Sequence, residues 1–262
     1  MKKLAYYIKI WWMMSKNSFE MVLSQRLVTS IYLFGKILRF IFFFAFLYFI
    51  LNGAKSLAGY NATQAIFFFL TFNVVDVLGQ FLFREVYRFR PLVVSGNFDL
   101  ILTKPMSALF RVLMGGADVI DLITIPPLFF AVYYVGRLLS PSPVQILLFL
   151  ALIFNGLLIS TAFYIAVLSL GIVTLEIDHT IMIYRDLTNL GRFPVDIYQQ
   201  PLRGFLTYLI PVGIMITLPA KALMGLVSPV GILSSFALGI VSIFVALRFW
   251  NFALTKYSSA SS

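Results

Sequence analysis

The side chains that could do chemistry are few in this sequence, and three of them share one face of a predicted helix. Asn73, Asp76 and Gln80 stand at positions i, i+3 and i+7 within an apolar stretch, so a helix places them on one side. An acid inside such a stretch is typical of a proton or ion pathway. The same spacing also suits hydrogen bonds between packed helices. Two hypotheses therefore stand for Asp76: it carries a proton, or it joins helices.

A second acidic pair, Asp118 and Asp121, stands three residues apart, a spacing that an acid–base pair could use. Arg111 lies close in the sequence, and we prefer a structural ion pair with arginines of the same loop. The single histidine, His179, excludes the HExxH zinc motif, and the lack of cysteine excludes thiolate metal sites. The chain also lacks the GxxxxGK(S/T) motif that binds ATP phosphates. We therefore expect no catalytic site, metal site or cofactor in this chain.

A third group of polar residues forms a stripe in the segment 176–203. At 100° per residue its members fall within about 60° of one another on a helix: Asp178, Arg185, Asn189 and Arg192. A helix that crosses a membrane can carry such a stripe only toward water or a charged partner, because arginine facing lipid is costly. An amphipathic helix at the cytosolic surface shows the same pattern. The fifth membrane crossing is therefore either 178–197 or 205–224.

The composition decides what surrounds these residues. Of 262 residues, 61% are hydrophobic and 11% are charged, and the mean hydropathy is +0.95, whereas soluble domains are ~45–50% apolar and ~25% charged. A soluble fold could not hide that much apolar surface, so we expect an integral membrane protein. The net charge of +10 would suggest nucleic acid in a soluble protein. Here the basic residues cluster on one predicted side of the membrane, and we expect no nucleic-acid partner.

The basic residues cluster before the first apolar stretch and in one later loop at 84–111, while the other short loops contain only Lys55 and Arg137. By the positive-inside rule, the N-terminus and that later loop face the cytoplasm. We therefore predict a multi-pass protein of a bacterial plasma (inner) membrane, with both termini in the cytoplasm.

Apolar stretches of about 20 residues define the predicted transmembrane helices. We predict an all-α membrane protein with one domain, 1–262, and six transmembrane helices. The segment 1–30 mixes tryptophan, tyrosine and lysine and is predicted to be a helix in the membrane interface. Five crossings are predicted at 31–51, 64–83, 113–135, 144–175 and 228–252. Prolines in the outer segment 199–225 favour short re-entrant helices before the last crossing.

The cytosolic loop at 84–112 is predicted to contain a short amphipathic helix. Asn97 suits the N-cap, Asp99 in the first turn favours the positive end of the helix dipole, and Pro105 ends the helix. The apolar face of this helix consists of Phe98, Ile101 and Leu102. A knob of this kind is suited to bind in a groove of a soluble partner, and we expect the apolar face to be buried against that partner.

Two stretches of the sequence resemble a known family, the ABC-2 type transporter permeases. The G-T-L-E-x-L-L-x-x-P stretch after the second helix of these permeases is similar to Gly96-Asn97-Phe98-Asp99-Leu100-Ile101-Leu102-Thr103-Lys104-Pro105. The F-P-x-x-I-Y … P-L-R … I-P … P-A pattern of the short six-helix members, some called viologen-type exporter permeases, resembles Phe193-Pro194, Ile197-Tyr198, Pro201-Leu202-Arg203, Ile210-Pro211 and Pro219-Ala220. The order and spacing of these features agree over nearly the whole chain.

The resemblance implies that the chain is the permease subunit of an ATP-driven exporter. Two permease chains, identical or homologous, would each bind a separate cytosolic ABC ATPase, which holds the ATP and Mg²⁺. The coupling helix would lie at 96–105, with contacts from Gly96, Asn97, Phe98, Asp99, Ile101, Leu102, Lys104 and Pro105. The translocation path would be lined by Asn73, Asp76, Gln80, Arg185, Asn189 and Arg192. The resemblance also favours a fifth crossing at 178–197.

The alternative is a secondary transporter or channel that works without nucleotide and uses Asp76.

Overall fold

The computed structural model describes residues 2–54, 57–174 and 177–258, and the regular elements in these ranges are helical, which confirms the predicted all-α class. Short 3₁₀ turns at Arg84–Arg88, Leu190–Arg192 and Val195–Ile197 connect some of the helices. The helices are α1 (Lys2–Ser24), α2 (Arg26–Ala54), α3 (Ala62–Phe83), α4 (Phe89–Val94), α5 (Asn97–Leu102), α6 (Ala108–Leu113), α7 (Val119–Leu138), α8 (Pro143–Thr174), α9 (Ile177–Asn189), α10 (Leu202–Leu209), α11 (Gly213–Leu223) and α12 (Pro229–Lys256).

Four helices among the described residues are long and apolar enough to cross a membrane. They are α7, α8, α12 and the run Ala62–Val94, which joins α3 to α4. The pair α10 and α11 adds a fifth crossing if the two are one broken span. The 29-residue α2 contains the first predicted crossing at 31–51, although several side chains near its end lie outside the described set. The helices fit a multi-pass membrane protein, and the count of six crossings stays a prediction.

The third predicted crossing, 113–135, begins later than predicted. Helix α6 ends at Leu113, and α7 starts only at Val119. Asp118 explains the late start, because its Oδ1 accepts a hydrogen bond from the Ile120 N–H at 2.7 Å and caps the new helix. The loop predicted to end at 112 therefore continues to Asp118.

The segment predicted as the fifth crossing, 178–197, is not one continuous helix. Helix α9 has 13 residues, about 20 Å at 1.5 Å per residue, against a hydrocarbon core of about 30 Å. Turns of 3₁₀ helix follow, and Pro194 lacks the N–H that would continue an α-helical ladder. Helices α10 and α11 are bent by 76° at a break that contains Pro211. Both a re-entrant loop at 199–225 and a broken span at 205–224 fit this bend.

Helix α3 lies at the centre of the main core. Its phenylalanines Phe67, Phe68, Phe69 and Phe72 are at most 1% exposed and pack in one cluster with residues of α7, α8 and α11. A second cluster joins Phe89 of α4 to α8 and to Trp250 of α12. Protein rather than lipid therefore surrounds most of α3, which explains how this helix can carry polar side chains.

A buried amide fixes the contact between α8 and α12. The Asn155 Nδ2 donates to the backbone oxygen of Ser235 and to its Oγ, both at 2.9 Å. Gly239 lies directly against the Asn155 side chain, and a Cβ at this position would overlap the amide. The close approach of these two helices therefore depends on a glycine opposite a buried asparagine.

Candidate functional site

The loop helix α5 starts one residue earlier than predicted. Its N-cap is Gly96, which has a left-handed φ of 73° that suits glycine. Asn97, the predicted N-cap, is instead the first helical residue, and its side-chain amide donates to Ser95 Oγ at 2.8 Å. The predicted first-turn position of Asp99 holds. The sequence pattern predicted the helix, but not that a glycine turn would start it.

The apolar face of α5 was predicted to point outward, but it points into the chain. Phe98 is fully buried, and its ring meets those of Phe89 and Tyr257 edge to face, each with 5.1 Å between centroids. Ile101 is 5% exposed and belongs to the same cluster. The expectation that Phe98 and Ile101 bury against a partner is therefore wrong, because the chain's own core already covers them.

The outer side of the loop consists of other apolar residues. Leu100 is 61% exposed, Leu102 is 40% exposed, and Val94 at the end of α4 is 59% exposed. Lys104 and the predicted stop, Pro105, are also exposed. We call Val94, Leu100, Leu102 and Lys104 the loop surface. Of the predicted apolar contacts, Leu102 alone lies on this surface.

Ion pairs hold the two ends of the loop together. The buried Glu85 accepts a hydrogen bond from Arg111 Nη1 at 2.7 Å and pairs with Arg88 at 3.6 Å. Arg84 Nε lies 3.2 Å from Asp118 Oδ2. The prediction that Asp118 pairs with a loop arginine is confirmed. Its neighbour Asp121 pairs instead with Lys36 of α2, and the two acids form no acid–base pair with each other.

Two of the three polar residues predicted on α3 meet, and the third does not. Gln80 Nε2 donates to Asp76 Oδ1 at 2.9 Å, and Arg39 Nη2 of α2 lies 3.5 Å from Asp76 Oδ2. Asn73 is 1% exposed, and its amide donates to the Phe69 carbonyl of its own helix at 2.7 Å. Asp76 therefore joins α2 to α3. Arg39 was not predicted as a site residue, although an arginine within an apolar stretch was the available signal.

A large cavity lies beside this pair and is strongly basic. Its volume is about 720 Å³, and it is bordered by α1, α2, α3, α7 and α9. Gln80 and Arg185 from the predicted path line it, together with Arg39. Arg185 also borders the narrow space next to Asp76. The structure thus brings together Asp76, Gln80 and Arg185 from the predicted path.

The remaining predicted path residues lie at the end of α9. Arg192 Nη2 donates to Asn189 Oδ1 at 2.9 Å, and its guanidinium lies 5.7 Å from the centroid of the Phe72 ring. Arg192 borders a second cavity of about 390 Å³ that it shares with Arg39. Arg39 lines both cavities and so connects them. The side chain of Asp178, also part of the predicted stripe, lies outside the described residues.

An acidic side chain joins the loop before α3 to the helices after α9. The Asp196 carboxylate accepts hydrogen bonds from Tyr60 Oη at 2.9 Å and from Arg203 of α10, and Lys221 Nζ of α11 lies 2.6 Å away. The sequence analysis did not single out this cluster, because its members stand far apart in the chain.

Comparison with known proteins agrees with this arrangement. The model of the family described as ABC-2 family transporter protein matches residues 37–261, a range that includes the loop surface, the Asp76 pair and the lining of the second cavity. No curated protein and no solved structure matches the chain. The match covers most of the chain, and several of its helices are able to cross a membrane. The chain is a multi-pass membrane transport protein and belongs to the ABC-2 family of transporter permeases.

Proposed function

We propose that this chain is the membrane subunit of an ATP-driven exporter and that the loop at 96–105 couples it to a separate ABC ATPase. One observation carries the proposal: Phe98 anchors α5 within the chain, while Leu100 on the opposite side and Leu102 at the end of the helix remain exposed. A coupling element must be held rigidly on one side and be free to bind on the other. Exposed leucines on a rigid cytosolic helix are suited to a groove in a soluble partner.

The test is co-purification with the ATPase and ATP hydrolysis by the complex. The double variant Leu100→Ala/Leu102→Ala should lose the ATPase or its stimulated hydrolysis, because full burial of a leucine side chain contributes about 1.5–3 kcal/mol. Leu138→Ala is the matched control, since Leu138 is 60% exposed at the end of α7 and Leu100 is 61% exposed. Full ATPase binding by the double variant would contradict the coupling role.

The assembly that we propose contains two permease chains, identical or homologous, and two ATPase subunits that hold the ATP and Mg²⁺. The proposed setting is a bacterial inner membrane, with six crossings and both termini in the cytoplasm. The basic residues of α2 and of the loop support that orientation through the positive-inside rule. Light scattering measures the mass of the purified complex. A mass that corresponds to only one permease chain would contradict this assembly.

The translocation path that we propose passes through the basic cavity beside Asp76. Arg39, Gln80 and Arg185 line it, and a water-filled or substrate-filled cavity is where intramembrane charges are tolerated. The alternative function, a nucleotide-independent carrier that uses Asp76, has less support. Both oxygens of this carboxylate are engaged, one by Gln80 and one by Arg39, which favours a joint between helices over a proton carrier.

A further inference from the structure

The second cavity combines cationic and aromatic side chains in one small space. Its volume of about 390 Å³ falls in the usual range for sites that bind small molecules. Two arginines, Arg39 and Arg192, stand on its wall. The rest of its described lining is aromatic: Phe42, Phe43, Phe46, Phe69 and Phe193.

Arg192 is the member of this wall whose hydrogen bonds are incomplete. Its Nε is buried and has no hydrogen-bond partner in the described part of the chain. Among the described residues, no carboxylate lies within 4.0 Å of its guanidinium, and Asn189 supplies only a neutral acceptor. A buried guanidinium N–H without an acceptor is unfavourable. An acceptor with negative charge would complete this site.

Arg39 supplies a second positive charge to the same space. Its side chain is 37% exposed, and its ion pair with Asp76 is a single contact at 3.5 Å, although a guanidinium has five N–H donors. The wall of the cavity contributes no acid among its described residues. Three basic residues of the larger cavity differ, since Lys36, Arg84 and Arg88 each form an ion pair with a buried or nearly buried acid.

The aromatic side of the cavity opens to the surface of α2. Phe43 stacks on Phe69 with 3.6 Å between centroids, and Phe193 lies 5.7 Å from Phe43. Phe42 is 68% exposed and Phe46 is 48% exposed. The rings thus extend from the two arginines to the exposed surface of α2. If α2 crosses the membrane, this surface faces other apolar groups.

We propose that this cavity binds an anionic amphiphile, a molecule with a phosphate-like or carboxylate head and a hydrocarbon tail. The head lies between Arg39 and Arg192, and the tail lies along the rings toward Phe42 and Phe46. A second copy of the chain fits this charge less well, because the sequence has ten acids against twenty basic residues. As a substrate class this inference rests on the proposed export function, whereas the binding site itself does not require the ATPase.

The test titrates the purified full-length chain, in an uncharged maltoside detergent, and counts bound molecules by native mass spectrometry. The probe is dodecyl phosphate, with dodecylphosphocholine as an analogue whose zwitterionic head has no net charge, and inorganic phosphate as a head without a tail. Dodecyl phosphate should bind one per chain and at least about tenfold more tightly than dodecylphosphocholine, since Arg39 and Arg192 repel the choline cation. Inorganic phosphate should not displace it.

The variant Arg192→Gln should weaken dodecyl phosphate at least about tenfold. Its matched control is Arg248→Gln, because Arg248 of α12 also lies over a phenyl ring, that of Phe244 at 5.1 Å, but away from this cavity. Phe46→Ala tests the contact with the tail and should also weaken binding. Because Phe46 is exposed, this variant replaces Arg192→Gln in the test if Arg192→Gln does not fold. Equal affinity of dodecyl phosphate for the parent chain and for folded Arg192→Gln, or for Phe46→Ala, would overturn the proposal.

The same spectra distinguish two sources of the ligand. An anionic membrane lipid that co-purifies and that dodecyl phosphate displaces identifies a lipid as the occupant in the cell. If the chain binds dodecyl phosphate but no anionic lipid co-purifies with it, the occupant is not a resident membrane lipid, and a transported amphiphile is the remaining source. Both results support the site, and neither depends on the ATPase, so a failure here is distinct from a failure of the Leu100 and Leu102 test.

Discussion

The ring of Phe98 meets the ring of Tyr257 edge to face, with 5.1 Å between their centroids. Phe98 belongs to the loop helix α5, and Tyr257 directly follows α12. Burial and the nearby carboxylate of Asp99 raise the pKa of Tyr257 to about 12, so this ring stays neutral over the physiological pH range. The contact therefore ties the loop to the last helix at any pH the cell experiences.

The first prediction separates the anchor of the loop from its outer surface. Phe98→Ala should lower the free energy of unfolding by about 3–5 kcal/mol, because it removes a fully buried ring from the core. Leu100→Ala should leave unfolding within about 0.5 kcal/mol of the parent, as expected of an exposed position. Unfolding of both variants can be followed by circular dichroism in denaturant. Parent-like stability of Phe98→Ala would show that the ring is not a core residue.

The second prediction concerns the Asp76 joint. Asp76→Asn should keep most of the ATP-dependent transport, because an asparagine oxygen can still accept from Gln80 and the partly exposed Arg39 can be hydrated. Transport into vesicles with and without a pH gradient measures this. The matched control is Asp186→Asn, an exposed acid on α9. Complete loss of transport by a folded Asp76→Asn that still binds the ATPase would favour the proton-carrier alternative.

The third prediction concerns the acid that joins Tyr60, Arg203 and Lys221. Asp196→Asn leaves two basic side chains without their carboxylate, and it should lower stability by about 2 kcal/mol, in the range for hydrogen bonds to charged groups. A thermal melt of the purified chain measures the change. Lys221→Met in the Asp196→Asn background should recover part of the loss, because it removes one uncompensated charge. No recovery would mean that Asp196 acts through neutral hydrogen bonds alone.

The fourth prediction concerns which segment crosses the membrane after α8. The chain has no cysteine, so single cysteines can be labelled without background. Gln199→Cys should react with an impermeant thiol reagent from outside intact cells, because Gln199 is exposed and follows the disputed segment. Leu100→Cys should react only after the membrane is opened. Reaction of Gln199→Cys only from the cytoplasmic side would place 176–203 in the cytosol and leave 205–224 as the crossing.

Long apolar stretches made the helical class and most of the helices predictable from the sequence. The length of an apolar run sets its capacity to cross a membrane, and α3, α7, α8 and α12 lie close to the predicted positions. Helix ends were less predictable where one residue decides them. Asp118 starts α7 by capping it, and Pro194 prevents a continuous helix beyond α9, so the predicted crossings 113–135 and 178–197 have different bounds.

The candidate site was predictable in part, for a different reason. Helical spacing revealed that Asp76 and Gln80 share a face, and they do meet. Spacing alone cannot reveal which surface covers an apolar face, and so Phe98 was assigned to a partner although it packs on Tyr257. The same limit explains Arg39, whose partner Asp76 stands 37 residues away in the sequence. Contacts between distant residues depend on packing that no local pattern contains.

The Asn155 contact limits how the helices can move in a transport cycle. A slide of α12 along α8 by one turn, about 5.4 Å, would separate the Asn155 amide from Ser235 and drive it into a Cβ or an apolar side chain instead of Gly239. The contact between α8 and α12 therefore holds these two helices together as a fixed frame. Helix α2 differs, because its ion pairs through Lys36 with α7 and through Arg39 with α3 can exchange their partners for water or for an anion, so we expect α2 rather than α12 to move against that frame.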